Sequence, residues 1–309
     1  MRGVRINSAH VSPAAMAGMV RTIRSTVPRV TVLVDTKGSE LRTTALASGL
    51  DEIALTEGST VLLSASAGDT DINCIRFNGI NPGRHLSPGT SVLLDDGTVR
   101  LSVVRSVDDD TVECTVAEGG ALGSRKSLSI DAEIPLLPAV SDRDRENIRA
   151  AVAAGVDIIA HSFVRCAADI EQVREVVGDP KVKVFAKIEC RAALDNLASI
   201  AAVSDGLLVA RGDLGAEISL PCVPAAQMTV VTEAQRRGIP VIIATQMLHS
   251  MTENPHPTRA EVSDIAFAVV QDANWLLLTG ETAKGRYPAE CVEVMAQTIV
   301  ETEKCLKTL

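Results

Sequence analysis

Short apolar runs that end abruptly in charge recur along this chain. Val182 to Ile188 and Gly206 to Ala210 show no polar alternation, so they read as strands buried on both faces, and they run into Glu189 and Arg211-Gly212-Asp213. The same pattern predicts strands at Val4 to Asn7, Val30 to Asp35, Val156 to Ala160, Pro240 to Thr245 and Trp275 to Thr279. Helical spacing fills the intervals around Ala14 to Thr26, Asp142 to Ala154, Ala168 to Val177, Ala225 to Arg237, Arg259 to Gln271 and Pro288 to Lys304. This alternation is that of βα units. The expected fold is α/β: a TIM (β/α)8-type barrel with seven βα units visible.

Between Arg42 and Pro138 the pattern changes to β-branched runs separated by Gly, Asp and Ser turns: Val61 to Ser64, Ser91 to Leu94, Val99 to Val104 and Thr111 to Val116, with Asp95-Asp96-Gly97 as a tight hairpin signal. A small all-β domain is expected there. The predicted division is 1–43 and 138–309 for the barrel and 44–137 for the insert. Entering after the second strand, the insert is expected to lie over the carboxyl ends of the others, as a lid.

Composition narrows the class. The chain has 309 residues, 46% of them apolar, enough for a barrel core and a small extra unit. A net charge of -9 and a pI near 5.1 argue against nucleic acid or an acidic membrane as a general partner. Aromatics at 2% leave no stacking platforms for single strands. No apolar run approaches the roughly 18 to 20 residues that span a bilayer. Seven cysteines without CxxC spacing, and no signal sequence, fit a reducing compartment, so a cytoplasmic location is expected.

The candidate chemistry gathers at predicted strand ends, where barrel enzymes keep their active sites. Lys187 and Glu189 are two apart and leave one strand on one face, as do Arg5 and Asn7 on another. Asp35-Thr36-Lys37 closes the second strand, Ser162 the third, Thr245-Gln246 the sixth and Thr279-Gly280-Glu281 the seventh. Lys187 with the carboxylates of Glu189 and Asp213 suits a hard divalent cation and an anionic substrate, which points to phosphoryl or enol chemistry. Each residue also has a plain structural reading. Glu189 and Asp213 could be helix N-caps or first-turn acids, Thr245 and Thr279 β-formers, His10 a capped loop histidine and Lys284 the end of a turn. Convergence on one barrel face favours a site.

At this point the motifs resemble a family. Lys187-Ile188-Glu189, Ala210-Arg211-Gly212-Asp213-Leu214-Gly215, Ala244-Thr245-Gln246-Met247-Leu248, Pro257-Thr258-Arg259-Ala260-Glu261 and Gly280-Glu281-Thr282-Ala283-Lys284-Gly285 look like consecutive signatures of the pyruvate kinases. Arg5-Ile6-Asn7 with His10, Asp35-Thr36-Lys37-Gly38 with Glu40 and Arg42-Thr43, and Leu122-Gly123-Ser124 with Lys126 extend the likeness across nearly the whole chain.

The resemblance implies a Mg2+- (or Mn2+-) dependent and K+-responsive phosphotransferase, converting phosphoenolpyruvate and ADP to pyruvate and ATP in a homo-oligomer. Glu189 and Asp213 would hold the Mg2+, Lys187 and Arg5 would meet the transferring phosphoryl group, and Gly212, Asp213, Thr245 and Ser162 would bind substrate. Thr245 would line the face from which the enolate is protonated. Asn7, Asp35 and Thr36 resemble a K+ site, with Glu40 matching the K+-dependent form, and His10, Arg42 and Lys126 would meet nucleotide phosphates.

Departures from the pattern set further expectations. The family's barrel has a strand and helix before the Arg5 motif, and seven βα units are expected to leave two strand edges unpaired. Ala9 replaces a K+-site serine, Cys190 an asparagine and Ser127 a lid glycine, while Ser219 to Pro224 lacks the family pattern. Without a C-terminal effector domain, no sugar-phosphate activation and an oligomer smaller than a tetramer are expected. The alternatives are a pyruvate or enolate lyase or aldolase on the same barrel, and a catalytically impaired phosphoenolpyruvate-binding relative.

Overall fold

A computed structural model describes residues 1–95, 97–130, 132 and 137–308, with His10 lacking a described side chain. The chain forms two compact units, Met1–Gly38 with Ala139–Leu309, and Ser39–Pro138.

The first unit is a seven-stranded parallel sheet in simple chain order: β1 (Gly3–Asn7), β2 (Thr31–Asp35), β3 (Ile158–His161), β4 (Lys183–Ile188), β5 (Gly206–Ala210), β6 (Val241–Ala244) and β7 (Trp275–Leu277). The apolar runs form strands here because both faces of the sheet are covered. Outward residues such as Val32, Val34, Ile159, Val184, Ala186, Val209 and Ile243 join the helices in one cluster, and inward residues Leu33, Ile158, Ala160, Phe185, Leu208, Ala210, Ile242 and Ala244 form a second. Gly206 on β5 is required by this interior, since a Cβ there would stand 2.5 Å from the Phe185 ring. The sheet curls round that core. Trp275 on β7 brings its ring to 3.3 Å from where a Cβ would lie on Gly3 of β1, the opposite edge strand.

Among the described residues β1 and β7 each have a strand partner on one side only. Beside β1 a recess of about 490 Å³ is lined by Val4, Ile6, Val11, Met19 and Ile23, together with Arg5, Asn7 and Thr22. Every residue of β7 is only half-buried, whereas β5 and β6 are buried throughout.

The predicted helices form with end shifts of one or two residues, and the structure adds short helices at Arg191–Asp195, Leu197–Val203, Arg211–Glu217 and Gly280–Ala283. Two predicted strands end early. β6 stops at Ala244 because Thr245 and Gln246 have φ of 69° and 55°, which takes them out of the extended region, and β7 stops at Leu277.

The second unit carries a six-stranded sheet and a two-stranded one around its own core, which includes Leu63, Ile75, Phe77, Leu94, Leu101 and Leu122. Ser91–Leu94 pairs antiparallel with Val99–Asp108 through a turn in which Asp95 and Gly97 have φ of 50° and 87°; Asp96 lies outside the described residues. The predicted runs all form strands, and Glu52–Leu55, Cys74–Arg76, Gly120–Gly123 and Leu128–Ile130 join them. No helix among the described residues is long and apolar enough to cross a membrane.

The helix Arg259–Val270 opens with a capping box: Thr258 Oγ1 accepts the Glu261 amide at 3.2 Å, and Glu261 Oε2 accepts the Thr258 amide at 2.8 Å. Glu261 also accepts the Ser250 amide at 2.7 Å and hydroxyl at 2.6 Å. Burial alone would raise its pKa, but these hydrogen bonds from Ser250 and Thr258 hold it below the ordinary value. The group therefore stabilises the fold fully above an unfolded pKa of about 4.3, and that contribution fades as pH falls through the lower folded pKa. Glu261→Gln is expected to cost about 1 kcal/mol at pH 7 and to flatten this acid dependence. Urea unfolding of both proteins between pH 3 and 7 measures it, and parallel curves would show that the box does not depend on the charge.

Candidate active site

The carboxyl ends of β1 to β4 deliver one ionic cluster. Asp35, at the end of β2, is 2% exposed. Arg5 Nε donates to its Oδ2 at 2.7 Å and the guanidinium pairs with the same oxygen through NH2. Lys187 on β4 lies 3.2 Å from its Oδ1, which also accepts the Ser162 hydroxyl at 3.1 Å. Lys187 Nζ further donates to Ser162 Oγ at 2.7 Å and stands 3.1 Å from Glu189 Oε2. The alternation of the strands explains the convergence, because Arg5, Asp35 and Lys187 share the inward face and register pairs Asn7 with Asp35.

The segment between β2 and Gly38 is pressed against Ser162. Ser162 donates to the Thr36 carbonyl at 2.7 Å, and its own amide donates to Thr36 Oγ1 at 3.1 Å. Gly38 has φ of 72° and a Cβ there would meet the Ser162 carbonyl oxygen at 2.5 Å, so only glycine fits. Behind Thr36, His161 is 1% exposed, with Nδ1 2.9 Å from Thr36 Oγ1 and Nε2 3.0 Å from the Ala139 carbonyl. Sequence reasoning passed over His161, although a polar residue ending the run Ile158-Ile159-Ala160 was a visible signal.

Charge coupling fixes the state of these groups. For Asp35, burial favours the neutral acid, but Lys187 and Arg5 outweigh it and hold its pKa low. For Lys187, burial opposes the ammonium, while Asp35, Glu189 and Asp213 together raise its pKa. Glu189 is fully buried, and its pKa is pushed up by burial first and then by Asp213 and Asp35, against Lys187 and the Phe163 amide. That amide donates to Glu189 Oε1 at 2.6 Å, whereas Oε2 faces the Lys187 ammonium at 3.1 Å.

A second group forms at β5 and β6. Asp213 is a first-turn acid of Arg211–Glu217, and the Gly212 amide donates to Thr245 Oγ1 at 2.8 Å. Thr245 Oγ1 in turn donates to the Ala244 carbonyl at 2.6 Å. Asp213 reaches the first group through its charge, felt by both Lys187 and Glu189.

Other predicted residues have partners of their own. Asn7 Oδ1 accepts the Ala9 amide at 3.0 Å. Glu281, 1% exposed, accepts the amides of Leu248 at 3.1 Å and Thr279 at 2.8 Å, which makes it a backbone tie. Arg42 and Lys126 belong to the second unit, where Arg42 pairs with Glu40 at 2.6 Å and Lys126 with Asp95 at 3.0 Å. Their backbones adjoin, since the Lys126 amide donates to Thr43 Oγ1 at 2.8 Å. The side chain of His10 lies outside the described residues.

Fold and site together define a (β/α) barrel whose strand ends carry buried cations against paired carboxylates. A family model described as "Pyruvate kinase, barrel domain" matches residues 1–292. The chain is 38% identical to the pyruvate kinase of Borreliella burgdorferi over 304 residues, covering 97% of this chain and 63% of that protein. It is also 38% identical to that of Staphylococcus aureus strain USA300 over 311 positions, covering 98% of this chain and 53% of that protein. The chain belongs to the pyruvate kinase family and spans between half and two thirds of these relatives' length.

Asp35→Asn would leave Lys187 and Arg5 each without their shared buried partner. We expect a loss of roughly 3 kcal/mol in unfolding free energy, as for other broken buried pairs, and urea denaturation reads it directly. A loss below about 1 kcal/mol would mean that solvent already screens the pair.

Proposed function

We propose that this chain carries the site that moves a phosphoryl group from phosphoenolpyruvate to ADP and protonates the resulting enolate to pyruvate. The observation that carries the reading is Lys187, a buried ammonium held by Ser162, Asp35 and Glu189 at the mouth of the strands. A fixed positive charge there offsets the negative charge spread over the equatorial oxygens of a transferring phosphoryl group. Arg5 adds a planar fork that grips phosphate in two bonds. In the structure that fork grips Asp35, so substrate phosphate competes with a carboxylate for the same donors.

The donor set fits a divalent cation. Glu189 and Asp213 repel one another, and burial adds to that repulsion in pushing the pKa of Glu189 up. Bound there, Mg2+ or Mn2+ would supply Lewis-acid stabilisation of an enol oxygen. Among the described residues no group of three or more His, Cys, Asp or Glu side chains could hold a metal, so substrate and water would complete the shell. The K+ set fits less well. Asp35 is already engaged by Arg5, Lys187 and Ser162, the Thr36 carbonyl by Ser162 and Asn7 Oδ1 by the Ala9 amide. No oxygen of Asn7 or Asp35 stands orphaned, and Ala9 brings no hydroxyl, so no step is assigned to a monovalent ion.

Thr245 and the Gly212 amide form the opposite wall, where the substrate carboxylate would be received and the enolate face lined. Arg42, Lys126 and His10 are proposed for the nucleotide phosphates. A cytoplasmic, homo-oligomeric protein accords with this chemistry.

The test is pyruvate and ATP formation from phosphoenolpyruvate, ADP and Mg2+, with and without K+. Turnover is expected, and Lys187→Met should retain Mn2+ and phosphoenolpyruvate binding while kcat falls by about 10³-fold or more, as for loss of an electrostatic catalyst. Substrate and metal binding with no product from the wild-type chain would replace the kinase by a binding function. Near-normal turnover of Lys187→Met would remove Lys187 from the mechanism.

A further inference from the structure

Arg211 belongs to the run Ala210-Arg211-Gly212-Asp213, and its side chain takes no part in gripping phosphate, metal or substrate carboxylate. The guanidinium is 10% exposed and lies behind the β5 and β6 ends. Nε and one terminal nitrogen donate to the carbonyl of Thr245 at 3.2 and 2.8 Å. The same terminal nitrogen lies 2.8 Å from Met247 Sδ. The other pairs with Asp264 at 2.7 Å and reaches Gln227 Oε1 at 3.4 Å. Gln227 is 2% exposed and is itself held by Gln271 Oε1 at 2.7 Å.

The carbonyl gripped this way belongs to a strained turn. Thr245 and Gln246 are consecutive L-residues with φ of 69° and 55°, and a β-branched residue rarely adopts that region. Such a conformation persists where its surroundings over-determine it. Here the surroundings are a planar fork that places two N–H groups on one oxygen, anchored by an ion pair on the far side. Fixing that peptide fixes the Thr245 side chain, whose hydroxyl accepts the Gly212 amide at 2.8 Å and donates to the Ala244 carbonyl at 2.6 Å. Because Arg211 directly precedes Gly212 and Asp213, it also ties the segment bearing the Asp213 carboxylate to the Thr245 turn.

We infer that Arg211, anchored by Asp264, is a positioning residue that holds Thr245 in its strained conformation and sets the hydroxyl at the enolate face. The functional half of this inference rests on the kinase reading; the conformational half does not. A lysine cannot replace the fork, because a single ammonium cannot lay two parallel donors on one carbonyl while pairing with Asp264 behind it.

The experiment compares the wild-type chain with Arg211→Met, Arg211→Lys and Asp264→Asn. By microscopic reversibility, a site that protonates the enolate exchanges the methyl protons of pyruvate. Deuterium uptake from D2O into pyruvate, with Mg2+ and ATP present, therefore reads this step. Arg211→Met is expected to lower exchange and kcat by roughly 10- to 100-fold, as for a misplaced reacting group, with the KM for phosphoenolpyruvate changed less than about 3-fold. Arg211→Lys should recover little of this and Asp264→Asn should lie between. The 13Cα and 13Cβ shifts of Thr245 and Gln246 report φ without any activity, and in Arg211→Met they should move away from left-handed values.

Unchanged shifts in a folded Arg211→Met protein would overturn the inference. So would wild-type exchange in that variant, or a fall in substrate binding that matches the fall in exchange. A wild-type chain that neither exchanges nor turns over would overturn the kinase reading, while the shift comparison would still decide the conformational half.

Discussion

The carboxylate of Asp35 stands between two cations, Arg5 and Lys187, in a place water scarcely reaches, and much of the site is arranged round that fact. An ammonium taken out of water carries a large desolvation penalty unless its donors are met. Lys187 has acceptors in Ser162, Asp35 and Glu189, drawn from β2, β4 and the end of β3. The strand ends are therefore held level by charge as well as by the ladder. This also explains why Ser162, Thr36 and Gly38 pack so tightly, since the Ser162 hydroxyl that Lys187 bonds is steered by the Thr36 carbonyl.

The opposite side of the site is governed by backbone geometry. There the sheet gives way at Ala244 to two left-handed residues, and an ion-paired arginine holds the peptide between them. The two halves meet through Asp213, whose charge raises the pKa values of both Lys187 and Glu189. A cation-rich wall and a hydrogen-bonding wall face a pair of carboxylates that repel one another. The divalent cation proposed for the site would relieve that repulsion.

The barrel that carries these groups is least complete at its edges. β1 bears Arg5 and Asn7 and has a single strand neighbour among the described residues, so the arginine that pairs with Asp35 rides on an edge strand. Trp275 compensates in part, because its ring crosses the interior from β7 to Gly3 and closes the apolar core where the ladder is open. The ion pair of Arg5 with Asp35 then ties the edge strand to its neighbour at the functional end.

The sequence by itself determined the strands, the larger helices, the all-β insert and the family, because a sheet covered on both faces needs unbroken apolar runs and the polar groups that end them stand out. It also placed Lys187, Glu189, Arg5, Asp35 and Ser162 at one end of the barrel, since they stand at the carboxyl ends of parallel strands, and a period of two then puts them on one face. It did not reveal the short helix that carries Asp213, which lacks a capping side chain and has only seven residues. Nor did it reveal that Thr245 leaves the strand: threonine favours extended backbone, yet here it is left-handed, with its carbonyl gripped by the Arg211 fork. Tertiary structure alone decided which partners each charge takes, because ion pairing depends on distances of a few ångströms between strands far apart in sequence. It placed Arg5 on Asp35, set Glu189 Oε2 against Lys187, and put His161 behind Thr36.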